Sequence, residues 1–145
     1  MLKTKIFIGF TILLSVIALA AACNSGGDSS GGQKQAIKTA PIGNNLTVAL
    51  SSDTGKLKNG EQELTLAFTD ASGKAVDVGA ASLNFHMPAM GSMAAMNDAA
   101  TLTTTSTPGV YRGKVKIEMP GEWQAQIAYE GAAGNGKTSF PVTAQ

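Results

Sequence analysis

The fold is decided by residues 111–129, which read YRGKVKIEMPGEWQAQIAY. Apolar side chains occupy most alternate positions before and after Pro120-Gly121, and this is the period of a strand with one buried face. The same alternation recurs along the chain, and it predicts inward positions for Leu46, Val48, Leu50, Leu64, Leu66, Phe68, Leu83, Phe85, Met87, Tyr111, Val115, Ile117, Met119, Trp123, Ala125, Ile127, Tyr129, Phe140 and Val142. Because no stretch keeps a helical period for three turns, the ordered segments are predicted to be strands.

These segments predict an all-β fold. About seven short strands, separated by turns such as Asp70-Ala71-Ser72-Gly73-Lys74, are typical of an immunoglobulin-like antiparallel β-sandwich. The sequence lacks the cysteine pair that packs on tryptophan in true immunoglobulin domains. The prediction therefore concerns the architecture only.

The N-terminus has the pattern of an export signal. Lys3 and Lys5 precede an apolar run that ends in small residues before Cys23. The stretch Leu19-Ala20-Ala21-Ala22-Cys23 resembles a bacterial lipobox, in which the cysteine after the cleavage site is lipidated. We therefore expect residues 1–22 to be a lipoprotein signal peptide. An uncleaved membrane helix is the alternative, because the run approaches the lower bound of about 17 residues for a spanning segment.

Lipidation of Cys23 would anchor the protein to a membrane of the cell envelope, facing the periplasm or the exterior. Asn24 follows the cysteine where an inner-membrane retention aspartate can stand, which favours the outer membrane in a cell with two membranes. Residues 23–44 are rich in Gly, Ser and other polar residues and are predicted to be a flexible tether. Residues 45–145 are then the folded domain.

The composition excludes several classes of function. Only 14% of the 145 residues are charged, and the net charge of +1 gives no cationic surface for nucleic acid. A single cysteine rules out an internal disulfide, and a single histidine rules out most catalytic triads and His-based zinc sites. The carboxylates are scattered and form no pair at catalytic spacing, so we do not expect an enzyme.

A short segment concentrates the residues that could bind a metal. Residues 86–96 read HMPAMGSMAAM and hold the only histidine and four of the six methionines. Thioethers are soft, neutral ligands that prefer Cu(I), and an imidazole adds one nitrogen. Methionines spaced by three would each slip about 60° around a helix and could not all face one ion. Since Pro88 and Gly91 also oppose a helix, a loop or tight turn is expected to gather the sulfurs.

The predicted copper site has His86, Met90 and Met93 as its primary ligands and Met96 as an exchangeable fourth ligand. Met87 is either a ligand or a core residue, because it continues the inward positions of its strand. Two alternatives stay open. The methionines could form a metal-free docking surface for another protein, or they could fill space without binding anything.

Met119 and Trp123 suggest a second arrangement, in which the indole face caps a Cu(I) ion. Both residues continue the alternate, inward-facing positions of their segments, so they are more simply interpreted as core residues. The primary copper site therefore does not include them.

Three motifs in this sequence resemble those of a known family. They are His86-Met87-Pro88-Ala89-Met90-Gly91, Pro108-Gly109-Val110-Tyr111 and Met119-Pro120-Gly121-Glu122-Trp123. Together they resemble the pattern of the YtkA-like domain family, related to FixH-type proteins, over about Leu46 to Val142. The resemblance implies a small immunoglobulin-like sandwich exported to the cell envelope, often as a lipoprotein or joined to a metal-efflux adaptor, and associated with copper.

The resemblance implies a site only for His86, Met87 and Met90, whereas the inclusion of Met93 and Met96 rests on spacing. It also implies that Gly109 shapes a turn into the next strand. We therefore expect an envelope lipoprotein that binds copper, as Cu(I), for buffering or for transfer to an oxidase-assembly or efflux protein. The alternative function is a metal-free interaction module that uses the methionine segment for docking.

Overall fold

The structure, a computed structural model, describes residues 34–145. The predicted signal peptide, the predicted lipidation site Cys23 and most of the predicted tether lie outside these residues. Within them the chain forms strands and no helix, so the described part has no helix long and apolar enough to cross a membrane. The strands are β1 Gln35–Gly43, β2 Leu46–Ser52, β3 Gly60–Thr69, β4 Ala80–Met87, β5 Met96–Ala99, β6 Thr101–Thr104, β7 Val110–Ile117, β8 Gly121–Gly131 and β9 Gly134–Ala144.

The strands form two antiparallel sheets. One sheet has the order β1-β2-β3-β7-β6 and the other has the order β5-β4-β8-β9. The predicted all-β sandwich is confirmed, with nine strands among the described residues where the alternation predicted about seven. The alternation missed β5 and β6, which have four residues each and lie at sheet edges with mostly exposed side chains. Such strands bury too little to show a hydrophobic period.

Part of the predicted tether, which was expected to extend to residue 44, is a strand in the structure. Residues 35–43 form β1, which pairs with β2 along nearly its whole length at the edge of the first sheet. Only Ile42 is buried in this strand, while Ile37 and Ala40 are half-buried. Backbone pairing with β2 therefore holds β1 in the sheet, although the apolar content of β1 is too low for its sequence to predict a strand.

The core lies between the two sheets. It contains the predicted inward residues, except that Met119 is only partly buried and packs against the others. Phe68 of β3 makes edge-to-face contacts with Tyr111 of its own sheet and with Tyr129 of the other, at centroid distances of 5.8 and 5.7 Å. Each fully buried large apolar side chain stabilises the fold by about 1.5–3 kcal/mol, so this interior holds the sheets together.

The turn before β7 depends on Gly109. Its φ of 83° is unfavourable for residues with a Cβ, and a Cβ built there would lie 2.2 Å from the carbonyl oxygen of Val76. Two residues after Gly109, the Tyr111 hydroxyl donates a hydrogen bond of 2.6 Å to the carbonyl oxygen of Gly79. Gly109 therefore lets the chain pass closely against the segment that precedes β4.

Candidate functional site

The segment between β4 and β5 is a hairpin at one edge of the second sheet, and we call residues 86–97 the methionine hairpin. At its tip the N–H of Met90 donates to the carbonyl oxygen of Met93 at 3.1 Å, and the N–H of Met93 donates to that of Met90 at 2.9 Å. Gly91 and Ser92 form the turn, and only Gly91 has a positive φ, of 58°. These features match a type II′ turn, in which glycine is favoured at the first central position.

The pairing register sorts the predicted ligands into couples. His86 is opposite Asn97, Met87 is opposite Met96, and Met90 is opposite Met93. Residues directly opposite each other project from the same face, with Cβ atoms about 4.5–5.5 Å apart. The hairpin therefore brings the methionines together in two pairs, which we call the base pair (Met87 and Met96) and the tip pair (Met90 and Met93).

The tip pair is exposed to solvent. Met90 is 56% exposed and Met93 is 42% exposed, and they are the two exposed large hydrophobic side chains of residues 34–145. Because they are direct neighbours across the turn, their sulfur atoms can reach a common ligand. The tip thus presents two soft donors side by side in water.

The base pair lies inward. Met87 is 2% exposed, and the position that a Cβ would take on Gly121 lies 3.1 Å from its Cε atom. Met96 is half-buried and packs against the core. The structure therefore places Met87 among the core residues, as the alternation along β4 indicates, while Met96 lies between the core and the surface.

His86 belongs to a polar network on the outer face of the second sheet. Its Nδ1 lies 2.9 Å from Oδ1 of Asn97, on the facing strand. Asn84 Nδ2 lies 3.4 Å from the same oxygen and 3.1 Å from Oε1 of Gln126. A carboxamide oxygen only accepts, so this contact is a hydrogen bond when Nδ1 carries the proton, and the lone pair of a neutral ring is then on Nε2. Nε2 is then the nitrogen that can bind a metal.

The structure does not pair His86 directly with the tip methionines. Three residues, Met87, Pro88 and Ala89, separate His86 from Met90, and the last two belong to no strand. In a fully extended chain, the four-residue step from the Cα atom of His86 to that of Met90 would span about 13 Å. A shared ion therefore requires the segment 88–89 to bend, which is easier outside the sheet ladder.

Of the two residues of the second predicted arrangement, Trp123 lies in the interior and Met119 is half-buried against the core. Trp123 is fully buried and its Nε1 donates a 3.1 Å hydrogen bond to the carbonyl oxygen of Met119. The indole N–H therefore already has a hydrogen-bond acceptor within the protein. Within residues 34–145, no three His, Cys, Asp or Glu side chains are grouped so that they could hold a metal ion.

Sequence reasoning missed Asn97, Asn84 and Gln126 as partners of the histidine. A signal for Asn97 was present, because Gly91-Ser92 is a glycine-first pair suited to a two-residue hairpin turn. Counting outward from that turn places Asn97 opposite His86. No comparable local signal identifies Gln126, since it reaches Asn84 from β8, far along the chain.

Comparison with known proteins agrees with the fold and the motifs. The family model described as YtkA-like matches residues 42–128. Searches of curated proteins and of solved structures returned no match. The matched range includes β2 to β7, most of β8 and the whole methionine hairpin. The chain therefore belongs to the YtkA-like family.

Proposed function

We propose that this domain binds Cu(I) through the tip pair, Met90 and Met93, with Nε2 of His86 as a nitrogen ligand. The observation that supports this most strongly is the exposure of the two methionines, at 56% and 42%. Burying such a side chain would stabilise the protein by about 1.5–3 kcal/mol, and the hairpin forgoes much of this gain. A soft ligand at the tip gives these sulfurs a role that packing does not.

The donor set suits an ion that must be passed on. Thioethers and a neutral imidazole carry no charge, and thioethers select Cu(I) over harder ions. Unlike thiolates, they do not form disulfides in an oxidising compartment. An exposed tip also lets a second protein offer its own ligands while the first are still attached. We therefore propose buffering or transfer of Cu(I), without catalysis, with Met96 as an exchangeable additional ligand.

Anaerobic competition between the protein and a chromogenic Cu(I) chelator tests the proposal. The informative variant replaces both tip residues, Met90→Leu and Met93→Leu, because leucine keeps the size and apolar character of the side chain and removes the sulfur. We expect its Cu(I) affinity to fall by more than about 100-fold, beyond the 10- to 100-fold typical of losing an outer-shell partner. The matched control, Met87→Leu, changes a buried sulfur and should bind as the wild type does.

A metal-free docking surface is the second candidate function, and the same exposed pair favours it. Methionine adapts its shape to a partner, and exposed apolar side chains often mark contact surfaces. The leucine variant separates the two functions, because it preserves an apolar tip. If wild type and the leucine variant compete equally poorly for Cu(I), the copper proposal fails and docking is favoured.

We further propose that the protein is a lipoprotein of the cell envelope, anchored through Cys23, and that its partner is a copper-efflux or oxidase-assembly protein. The lipobox-like stretch before Cys23 supports the anchor. Metabolic labelling with a fatty acid that carries a detectable tag should mark the wild type. Labelling should be lost in Cys23→Ser, and retention of the label in that variant would exclude Cys23 as the modified residue.

A further inference from the structure

The outer face of the second sheet carries a chain of side chains that ends at the only histidine. It runs across three strands, from Gln126 on β8 through Asn84 on β4 and Asn97 on β5 back to His86 on β4. The contacts are 3.1 Å from Asn84 Nδ2 to Gln126 Oε1, 3.4 Å from Asn84 Nδ2 to Asn97 Oδ1 and 2.9 Å from His86 Nδ1 to Asn97 Oδ1. The histidine is therefore connected to the centre of the sheet.

The donors and acceptors of this chain are consistent with one another. Gln126 presents its Oε1 to Nδ2 of Asn84, and the same nitrogen, which carries two N–H groups, also faces Asn97. Asn97 therefore meets Asn84 with its oxygen, and the same oxygen faces His86. A proton on Nδ1 of His86 would complete this arrangement, with Asn84 and His86 both donating to the Asn97 oxygen.

We propose that Asn97 is a positioning residue that holds neutral His86 in the Nδ1–H tautomer and so makes Nε2 the nitrogen that receives a soft metal ion. Imidazole in water favours the opposite tautomer, with the proton on Nε2, so the network reverses an intrinsic preference. Histidine ligands of metals are commonly fixed in this way, by donating the other ring N–H to an oxygen. The part concerning the metal rests on the proposed function, whereas the tautomer does not.

The experiment uses the chain's single histidine, since labelling with ¹⁵N-histidine gives one imidazole in the spectrum of the full-length protein in detergent. Two- and three-bond ¹H–¹⁵N correlations distinguish the two nitrogens, and they are recorded at a pH where the spectrum shows a neutral ring. We expect Nδ1 to be protonated in the wild type. Asn97→Leu should return the ring mainly to the Nε2–H form, and Asn97→Asp, which keeps an acceptor oxygen, should restore Nδ1–H.

Ser82→Ala provides the matched control, because Ser82 lies on the same strand two residues before Asn84 and outside the described network. It should leave the tautomer unchanged. The proposal is overturned if the wild type is mainly Nε2–H, or if Asn97→Leu has the same ring spectrum as the wild type. A loss of fold in Asn97→Leu would appear in the backbone amide spectrum, and Asn97→Ala, a smaller change that also removes the acceptor oxygen, then decides the question by the same criterion.

Adding Ag(I), a closed-shell soft ion used in place of Cu(I), separates this proposal from the proposed function. In the wild type we expect the Nε2 signal to move, and in Asn97→Leu we expect the affinity to fall about tenfold. If the tautomer results hold but Ag(I) leaves both ring nitrogens unaffected, the positioning role of Asn97 stands and His86 is not a metal ligand. If Ag(I) moves Nδ1 instead, Asn97 does not direct the metal and the proposal fails.

Discussion

The methionine hairpin contains two cross-strand methionine pairs with opposite environments. The base pair adjoins the sandwich, and its Met87 is 2% exposed, whereas the tip pair has exposures of 56% and 42%. Both pairs consist of methionine, so residue type does not explain the difference. The position along the hairpin does, because the base continues the ladder of β4 and the tip lies beyond it.

This comparison shows how a single residue type can occupy two environments within ten residues of chain. At the base, the pleat of β4 directs every second side chain between the sheets, so Met87 packs like its neighbours Leu83 and Phe85. At the tip, the type II′ turn places Met90 opposite Met93, and both side chains are exposed to solvent. Methionine therefore fills space at the base and is available to a ligand at the tip.

The largest expected difference between the pairs is in stability. Met87→Ala should lower the free energy of unfolding by about 2–5 kcal/mol, because it leaves a cavity in a packed interior. Met90→Ala should change it by no more than about 0.5 kcal/mol, as is usual for an exposed position. Urea unfolding followed by the fluorescence of the buried Trp123 measures both. Equal losses in the two variants would contradict the assignment of the pairs to different environments.

The second difference between the tip pair and the base pair should be their rate of oxidation. Dilute peroxide should convert Met90 and Met93 to sulfoxides while Met87 stays largely intact, because the reagent reaches exposed thioethers first. Cu(I) affinity should then fall by more than about 100-fold, since the loss of direct ligands exceeds the 10- to 100-fold effect of outer-shell changes. The free energy of unfolding should change little.

Peptide mass spectrometry locates the sulfoxides, and chelator competition follows Cu(I) retention in the same samples. The Met90→Leu, Met93→Leu variant serves as the control, because peroxide has no tip sulfur to oxidise in it. Undiminished retention by wild-type protein with both tip residues fully oxidised would count against thioether ligation.

The interior was predictable from sequence because a strand with one buried face has a two-residue period. Leu64, Leu66 and Phe68 show it, and so do Trp123, Ala125 and Ile127, all of which are buried. The partner of each strand was not predictable in this way. β7 and β8 are consecutive, yet β7 pairs with β3 and β6 while β8 pairs with β4 and β9. The two-residue period shows which face of a strand is buried. It contains no information on which other strand pairs with it in the sheet.

The composition of the candidate site was also easier to predict than its geometry. The cluster of one histidine and four methionines is visible in the sequence. Their division into an inward and an outward pair depends on the hairpin register, which only the turn at Gly91-Ser92 could indicate. The link from His86 to Gln126 depends on the pairing of β4 with β8, which are far apart in the chain. Long-range pairing of this kind leaves no local pattern.

The turn itself should have a smaller effect than oxidation. Gly91 has a φ of 58°, and a Cβ built there would have no atom within 4 Å, so Gly91→Ala introduces backbone strain without a clash. A positive φ of this kind costs alanine on the order of 1–2 kcal/mol. If that cost opens the tip before the metal binds, Cu(I) affinity falls by about 5- to 30-fold.

Chelator competition measures this change, and Gly91→Asn is the matched control because asparagine tolerates a positive φ more readily. Asparagine should therefore bind Cu(I) more tightly than alanine at this position. Wild-type affinity in Gly91→Ala would show that the paired geometry of Met90 and Met93 is not needed for binding.

The smallest effect is expected at Met96, which lies between the two environments. It is opposite the buried Met87 but is only half-buried itself, so its sulfur is accessible to a ligand only in part. Met96→Leu conserves volume and should lower the free energy of unfolding by less than about 1.5 kcal/mol. As an exchangeable additional ligand, Met96 should alter Cu(I) affinity by roughly threefold, or about 0.6 kcal/mol, while the tip pair and His86 remain.

Stopped-flow transfer to a chelator should show faster release of Cu(I) from Met96→Leu than from Met87→Leu. Identical release rates would assign Met96 to the base pair in function as well as in position, and the copper site would then consist of the tip pair and His86 alone.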